Sequence, residues 1–598
     1  MENEFPSIKE QIGNLLFLIR TLFGVNKKIF VVRIPLLLLQ TVSQILSIWF
    51  MKLILNEIAG NVEVSRIVFL AGCMAISGFL VSFVSRIIMS LDQRESLKVE
   101  YRLKTLLADK MMRLPYIYAV EPQTLNFLDM ASKENSFSTV LSSVSGFIGS
   151  VISAVTYSAV VITVHPLIMV LLVLVLSIIL DSVVLRLKTK NEFKRENETI
   201  PAFRKMWAIF NVLDFEEYGK EVRVNRLKNW ITAKGMKEHK NLLDVEKKAT
   251  KTDQVYSVIQ DISGNILTAA TYLILSILLI FRNLMIGDFT FALNSMMGLS
   301  GNIKAVISGW NSLLEHGLFS RGFKYIMNLS DTYRSEADTC AEHSLDDIKE
   351  YSIEFRHVTF TYPGCDTPAL SDITFRLDPG ETLSLVGVNG AGKTTLVMLL
   401  CRFYEPDEGE ILVGGIPIKN LPFDDYYRIF GVAFQDSRIF TGTIAENITY
   451  GKELSESELE RGLRISGLLE KVNSFRNGVR TTLGREFDED GVDLSGGEKQ
   501  KLSISRVFCA NPEIMIFDEP TSALDPIAEH EVISGLQSVT QNKTSIIISH
   551  RLSSTKMSDK IAVMADGMLQ EYGNHNELIK KENGIYHQLF EAQAKYYK

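Results

Sequence analysis

The stretch TLSLVGVNGAGKTTLVMLLCRFY, Thr382–Tyr404, runs from a short apolar segment through a glycine-rich loop into a second apolar segment at helical spacing. A strand that feeds a glycine loop, which in turn opens a helix, is the setting a phosphate-binding loop requires. In GVNGAGKT, Gly387–Thr394, the backbone N–H groups of Asn389, Gly390, Ala391, Gly392, Lys393 and Thr394 are expected to point inward at phosphates. Partial positive charge accumulates there because they sit at a helix N-terminus. Lys393 is expected to reach the terminal phosphates and the Thr394 hydroxyl to coordinate Mg2+, with Thr395 beside it in the nucleotide-binding set. Downstream, the apolar run Ile514–Phe517 ends in Asp518 and Glu519. Behind a phosphate loop, this pair reads as a metal-holding carboxylate, Asp518, followed by a general base for the attacking water, Glu519.

Working outward, the 598-residue chain is too long for one domain, and its apolar residues concentrate in the first half. Val140–Val164 carries no charge and exceeds the roughly 20 residues needed to cross a bilayer. Six spans are expected: Ile29–Leu53, Arg66–Leu91, Thr139–Val164, Pro166–Leu187, Val255–Phe281 and Phe289–Leu314. The short loops between them hold almost no Lys or Arg, whereas Asp92–Asn135 and Lys188–Asp253 hold many, which places those long connections in the cytosol. Their helix-forming sequence is continuous with the spans, so the helices are expected to project below the membrane as hairpins. Candidate tips are YAVEPQTLNFL, Tyr118–Leu128, and LDFEEYGKEVR, Leu213–Arg223, where Pro or Gly interrupts the pattern; plain solvated turns are the alternative.

Asp181 and Asp261 lie in or beside spans; they read as solvated interfacial residues or as the lining of an inward-open cavity. Before the first span, Ile8, Ile12, Leu15, Ile19 and Leu22 recur at helical spacing, which predicts an amphipathic helix along the inner membrane face rather than a cleavable signal. The net charge of -7 without a long basic block argues against a nucleic-acid partner, and five cysteines without C-x-x-C spacing argue against a disulfide framework or a zinc site.

A second glycine motif, DLSGGEKQ, Asp493–Gln500, lies between the phosphate loop and the acidic pair and opens another helix. Ser495, Gly496 and Gly497 therefore form a second anion-binding N-terminus, with Glu498 beside them. One nucleotide is not easily cradled twice by the same small domain, so the duplication implies a dimer.

With LSGGE at Leu494–Glu498, the phosphate loop and IMIFDEPTSALD at Ile514–Asp525, the chain resembles the ATP-binding cassette family. The resemblance implies two cassettes packed head to tail, each signature closing over the γ-phosphate of the other's ATP. It also implies that Tyr362 stacks on adenine and that Gln435, in VAFQD, contacts Mg2+ and the attacking water. Ser522–Asp525 would communicate across the dimer, and His550, after SIIIS, would contact the γ-phosphate.

Six spans ahead of one cassette look like an exporter half-transporter, and EYGKEVR at Glu217–Arg223 and TGTIAENI at Thr441–Ile448 fit that subclass. The acidic stretch GREFDEDGVDLSGG, Gly484–Gly497, is similar to bacterial transporters associated with peptides, and no leader-cleaving protease domain is expected. The expected organisation is an amphipathic helix at 1–28, an α-helical six-span membrane domain with long cytosolic extensions at 29–330, a linker at 331–350 and an α/β P-loop ATPase domain at 351–598. The expected function is ATP-driven export of a peptide or amphipathic small molecule across the cytoplasmic membrane, by a dimer in the lipid bilayer with its ATPase domains in the cytosol. A homodimer is the simpler reading and a heterodimer the other. A lipid or multidrug exporter and an ATP-gated regulator are the competing functions.

Overall fold

The structure, a computed structural model, describes residues 6–60, 63–133, 137–162, 168–214, 216–282, 285–329, 344–485, 488–549 and 555–594. By packing it divides into two units, one of residues 1–113 and 121–329, the other of residues 114–120 and 330–598.

The first unit is helical. Its described helices are α1 (Ile8–Val25), α2 (Lys28–Ala59), α3 (Val64–Arg113), α5 (Pro122–Lys133), α6 (Phe137–Ile162), α7 (Ile168–Asp214), α8 (Glu216–Val224), α9 (Lys228–Arg282) and α10 (Ile286–Asn328); α4 (Tyr116–Val120) belongs to the second unit. At ~1.5 Å per residue, the 50 residues of α3 and the 55 of α9 extend about 75 and 83 Å. A hydrocarbon core is ~30 Å thick, so both helices run far past it. By length and composition, Lys28–Ala59, Val64–Arg113, Thr139–Val161 and Lys228–Ile277 can cross a membrane. The other two expected spans fall on α7 and α10, with Pro166 outside the described residues. The chain is a multi-pass membrane protein.

Several polar groups inside this unit are paired across helices. Arg33 on α2 forms a 2.6 Å ion pair with Asp92 on α3 and donates to Ser96 and to Ser145 on α6, which ties three helices together. Asp181 departs from the sequence expectation: it is only 4% exposed and lies 3.4 Å from Lys304 of α10. Burying a lone carboxylate costs several kcal/mol, so the cation across the helix interface replaces the solvent expected there. Asp261 is exposed.

The N-terminal helix, Ile8–Val25, buries a stripe that includes polar residues. Its buried stripe is Gln11, Asn14, Leu15, Leu18 and Leu22, while Ile8 stays exposed. That stripe packs on α10. Lys324 donates to Asn14 at 2.9 Å, Phe17 meets Phe323 at 6.4 Å, and a Cβ on Gly317 would collide with the Gln11 carbonyl. Apolar spacing identified an amphipathic helix, but two polar residues join the buried face because each has a partner there: Gln11 donates to the Pro6 carbonyl at 2.8 Å, and Asn14 accepts from Lys324 of α10.

Within the expected first tip, Tyr118–Leu128, α4 ends at Val120 and α5 begins at Pro122. The expected second tip contains Phe215, outside the described residues, and continues as α8 and a left-handed turn at Arg226.

The second unit is built on a six-stranded sheet in the order β12-β11-β3-β10-β9-β6. Its strands are β3 (Thr382–Val386), β6 (Phe430–Ala433), β9 (Ile514–Asp518), β10 (Thr544–Ile548), β11 (Lys560–Ala565) and β12 (Met568–Gly573). All neighbours are parallel except β11 and β12. Every residue of β3, β9 and β10 is buried, as expected of parallel strands covered by helices on both faces. A separate antiparallel sheet, order β2-β1-β4-β5, joins β1 (Ile353–Phe360), β2 (Leu370–Leu377), β4 (Glu408–Val413) and β5 (Ile416–Pro417). Ahead of β1, Ser344 and Asp347 form a capping box, and Leu345 and Ile348 pack on the core of this unit.

Candidate functional site

Four parallel strands bring the expected groups to one edge. Ile548 is level with both Asp518 and Leu385, and Ala433 is level with Phe517. The phosphate loop after β3, the acidic pair at the end of β9 and Gln435 just after β6 therefore emerge side by side. A crevice at the carboxyl ends of a parallel sheet is where such folds bind ligands.

The loop's path depends on glycine. Gly387 and Gly392 have φ of 155° and 98°, and a Cβ at Gly387 would strike the Met564 carbonyl. The turn then delivers its N–H groups to the start of the helix Lys393–Leu400. Lys393 is 6% exposed and donates to the Gly387 and Val388 carbonyls, both at 2.9 Å. Burial lowers its pKa, opposed by the nearby Glu519 and Asp518 carboxylates. Asn389 and Gly390 are exposed, while Ala391 and Thr395 are buried, and Thr395 accepts a 3.1 Å hydrogen bond from the Tyr362 hydroxyl.

Opposite the loop, the Thr394 side chain lies beside the Asp518 carboxylate and helps to lower its pKa. These are two of the three residues expected to hold Mg2+, and an all-oxygen set of this kind suits a hard cation. Asp518 is pushed up to about 6, first by burial and then by Glu519, with Lys393 and Thr394 pulling the other way. Glu519 sits at φ 49°, a left-handed conformation that costs a non-glycine residue of order 1 kcal/mol or more. It is held there by a hydrogen bond from its N–H to the Ile548 carbonyl, 3.0 Å, while its carboxylate accepts from Gln435 Nε2 at 3.1 Å.

Gln500, in the second glycine motif, has no role that the sequence reveals. Its amide donates to the Glu519 carbonyl at 2.6 Å and to Ser522 at 3.1 Å, and its oxygen accepts from Ala523 N–H at 3.2 Å. It fastens the signature helix, Gly496–Ala510, to the loop that carries the expected base. Nothing in a lone glutamine's sequence context signals a reach across 19 residues. Ser495 and Gly496 are exposed. Glu498 closes a capping box with Ser495 and pairs with Lys471 at 3.1 Å, so its carboxylate serves its own helix start. His550 lies outside the described residues.

A pH dependence follows from Asp518. Its folded-state pKa lies above the model-peptide value, so the folded protein binds the extra proton between pH ~4 and ~6. The nucleotide-free domain is therefore expected to lose about 2 to 3 kcal/mol as pH rises through that window, with no further change from this group above it. Denaturant midpoints at pH 4.5 and 7, compared with Asp518→Asn, check this; an identical pH response in the variant refutes it.

Residues 370–522 match the ABC transporter family. The chain is 34% identical over 313 residues to an ATP-dependent lipid A-core flippase of Shigella sonnei (strain Ss046), the match spanning 52% of each chain. It is also 34% identical over 309 residues to the flippase of the same description in Escherichia coli (strain K12), 51% of each. The chain thus spans about half the length of the curated relatives it matches. Over nearly its whole length it shares the fold of a bacterial Atm1-family ABC exporter with ATP bound: TM-score 0.78, 22% identity, 96% of this chain and 99% of that one.

Proposed function

We propose that this chain, which carries an ABC transporter domain in an exporter half-transporter fold, hydrolyses ATP to drive export of a peptide or amphipathic small molecule across the cytoplasmic membrane. The observation that carries the reading is the convergence of Lys393, Thr394, Asp518, Gln435 and Glu519 at the carboxyl edge of one sheet, fused to a multi-pass helical unit. The glycine loop and Lys393 bind and orient the phosphates. Glu519 takes a proton from the attacking water, which Gln435 positions. Thr394, Asp518 and Gln435 would hold Mg2+, which neutralises charge on the phosphates when bound. His550 would contact the γ-phosphate.

Two copies acting together supply each site with its facing signature, Ser495–Gly497. ATP at both interfaces favours the closed pair, and hairpin motion opens the membrane cavity outward; hydrolysis resets it. Lipid export is a second reading, favoured by the lipid A-core flippases among the relatives.

Purified alone and reconstituted in lipid, the chain is expected to hydrolyse ATP steadily and to accumulate cargo inside inverted vesicles. Turnover without any vectorial uptake, across peptide and lipid cargoes, would favour a regulator. A folded, inserted sample with no turnover would refute the homodimer and point to a partner half.

A further inference from the structure

The ring of Tyr362, read above as the adenine platform, stands edge-on to Tyr404, with centroids 5.3 Å apart at 84°. Tyr404 stands edge-on to Tyr116, 6.0 Å apart at 89°, and Tyr116 also lies 5.1 Å from Phe403. Phe360 closes the group from below, 5.0 Å from Tyr362 and 5.4 Å from Tyr404. Phe403 extends it to Phe434, 6.1 Å away and the residue before Gln435.

Tyr116 comes from the tip of the α3 hairpin, yet residues 114–120 pack as part of the cassette unit. The Tyr116–Tyr404, Tyr362–Tyr404 and Phe360–Tyr362 pairs have the edge-to-face geometry in which aromatic rings attract beyond simple area burial. Tyr362 is restrained at both ends, by its hydroxyl on Thr395 at 3.1 Å and by its ring against Phe360 and Tyr404.

We infer that Tyr116 is a positioning residue for nucleotide-base recognition, setting the Tyr362 platform through Tyr404. The inference rests on the reading of the cassette as an ATP site. Coupling free energies are reciprocal, so whatever Tyr116 contributes to holding the base, a bound base returns to the docking of residues 114–120. The hairpin tip thereby senses the base end of the nucleotide, separately from the phosphate end that Gln435 and Glu519 face.

The test is equilibrium binding to the full chain in lipid, in a Glu519→Gln background that preserves the nucleotide. The probes are ATP and inorganic tripolyphosphate, which has no base. Tyr116→Ala is expected to weaken ATP binding roughly threefold to tenfold, the range of one aromatic pair, and to leave tripolyphosphate binding unchanged. Tyr116→Phe keeps the ring and is expected to match its parent. Tyr116 is 40% exposed, so its truncation leaves the core intact.

Unchanged ATP affinity in Tyr116→Ala, equal weakening of both probes, or a Phe variant as weak as Ala each overturns the inference. A parent that binds neither probe overturns the cassette reading itself, and the inference with it, which is a distinguishable failure.

Discussion

Glu519→Gln is expected to lower ATP turnover by roughly 10²- to 10⁴-fold, the range that a positioned general base contributes, while ATP binding persists. The amide has the shape of the carboxylate but cannot take a proton from water. Its oxygen can still accept from Gln435 Nε2, and the backbone restraints on residue 519, from the Ile548 carbonyl and the Gln500 amide, do not involve the side chain. Local geometry is therefore preserved, so lost turnover reports on chemistry rather than folding. Phosphate release and nucleotide binding on one reconstituted sample check both halves of the expectation. Turnover within a few-fold of the parent would remove Glu519 as the base.

Gly496→Asp is expected to reduce turnover by about 10²- to 10³-fold, comparable to removing a preorganised donor from an anion site. Gly496 is exposed, and among the described residues the only neighbour near a would-be Cβ is the Ala523 methyl at 4.0 Å, so the substitution fits its own chain. Gly497 is the worse choice, since a Cβ there meets the Ala523 carbonyl at 3.0 Å. A carboxylate at the first position of the helix Gly496–Ala510 would repel a phosphate offered by a second copy.

The decisive form of this experiment mixes two defective chains. Gly496→Asp keeps its phosphate loop and Glu519; Glu519→Gln keeps its signature. If each site takes its signature from the other copy, a mixed dimer contains one intact site, and co-expression restores turnover above either variant alone. If each chain uses its own signature, no intact site exists and turnover stays at the level of the variants.

The hairpins illustrate how far local pattern carries. Charge asymmetry and apolar run length placed the long connections, and the prolines marked the break in the first one. Which cassette residues its tip meets depended on Tyr116 finding Phe403 and Tyr404 some 290 residues later, a pairing with no local signature. Asp181 makes the same point in the membrane unit. A carboxylate in an apolar run was legible as costly, but its partner Lys304 lies on a different helix, and sequence order does not reveal which helices adjoin.

What the sequence determined by itself was everything governed by short-range geometry. The strand, glycine loop and helix at Thr382–Tyr404, the acidic pair after an apolar strand, the second glycine motif at a helix start and the charge-free runs long enough for a bilayer all follow from backbone sterics and periodicity within 10 to 25 residues. The tertiary structure alone decided which of those pieces become neighbours. It set Gln435 on Glu519, made Gln500 the clasp between the signature helix and the base loop, paired Glu498 with Lys471, and put the buried face of the N-terminal helix on α10. Each of these is a polar or packing partnership across a long sequence separation, satisfied only once the sheet and the helices have been assembled.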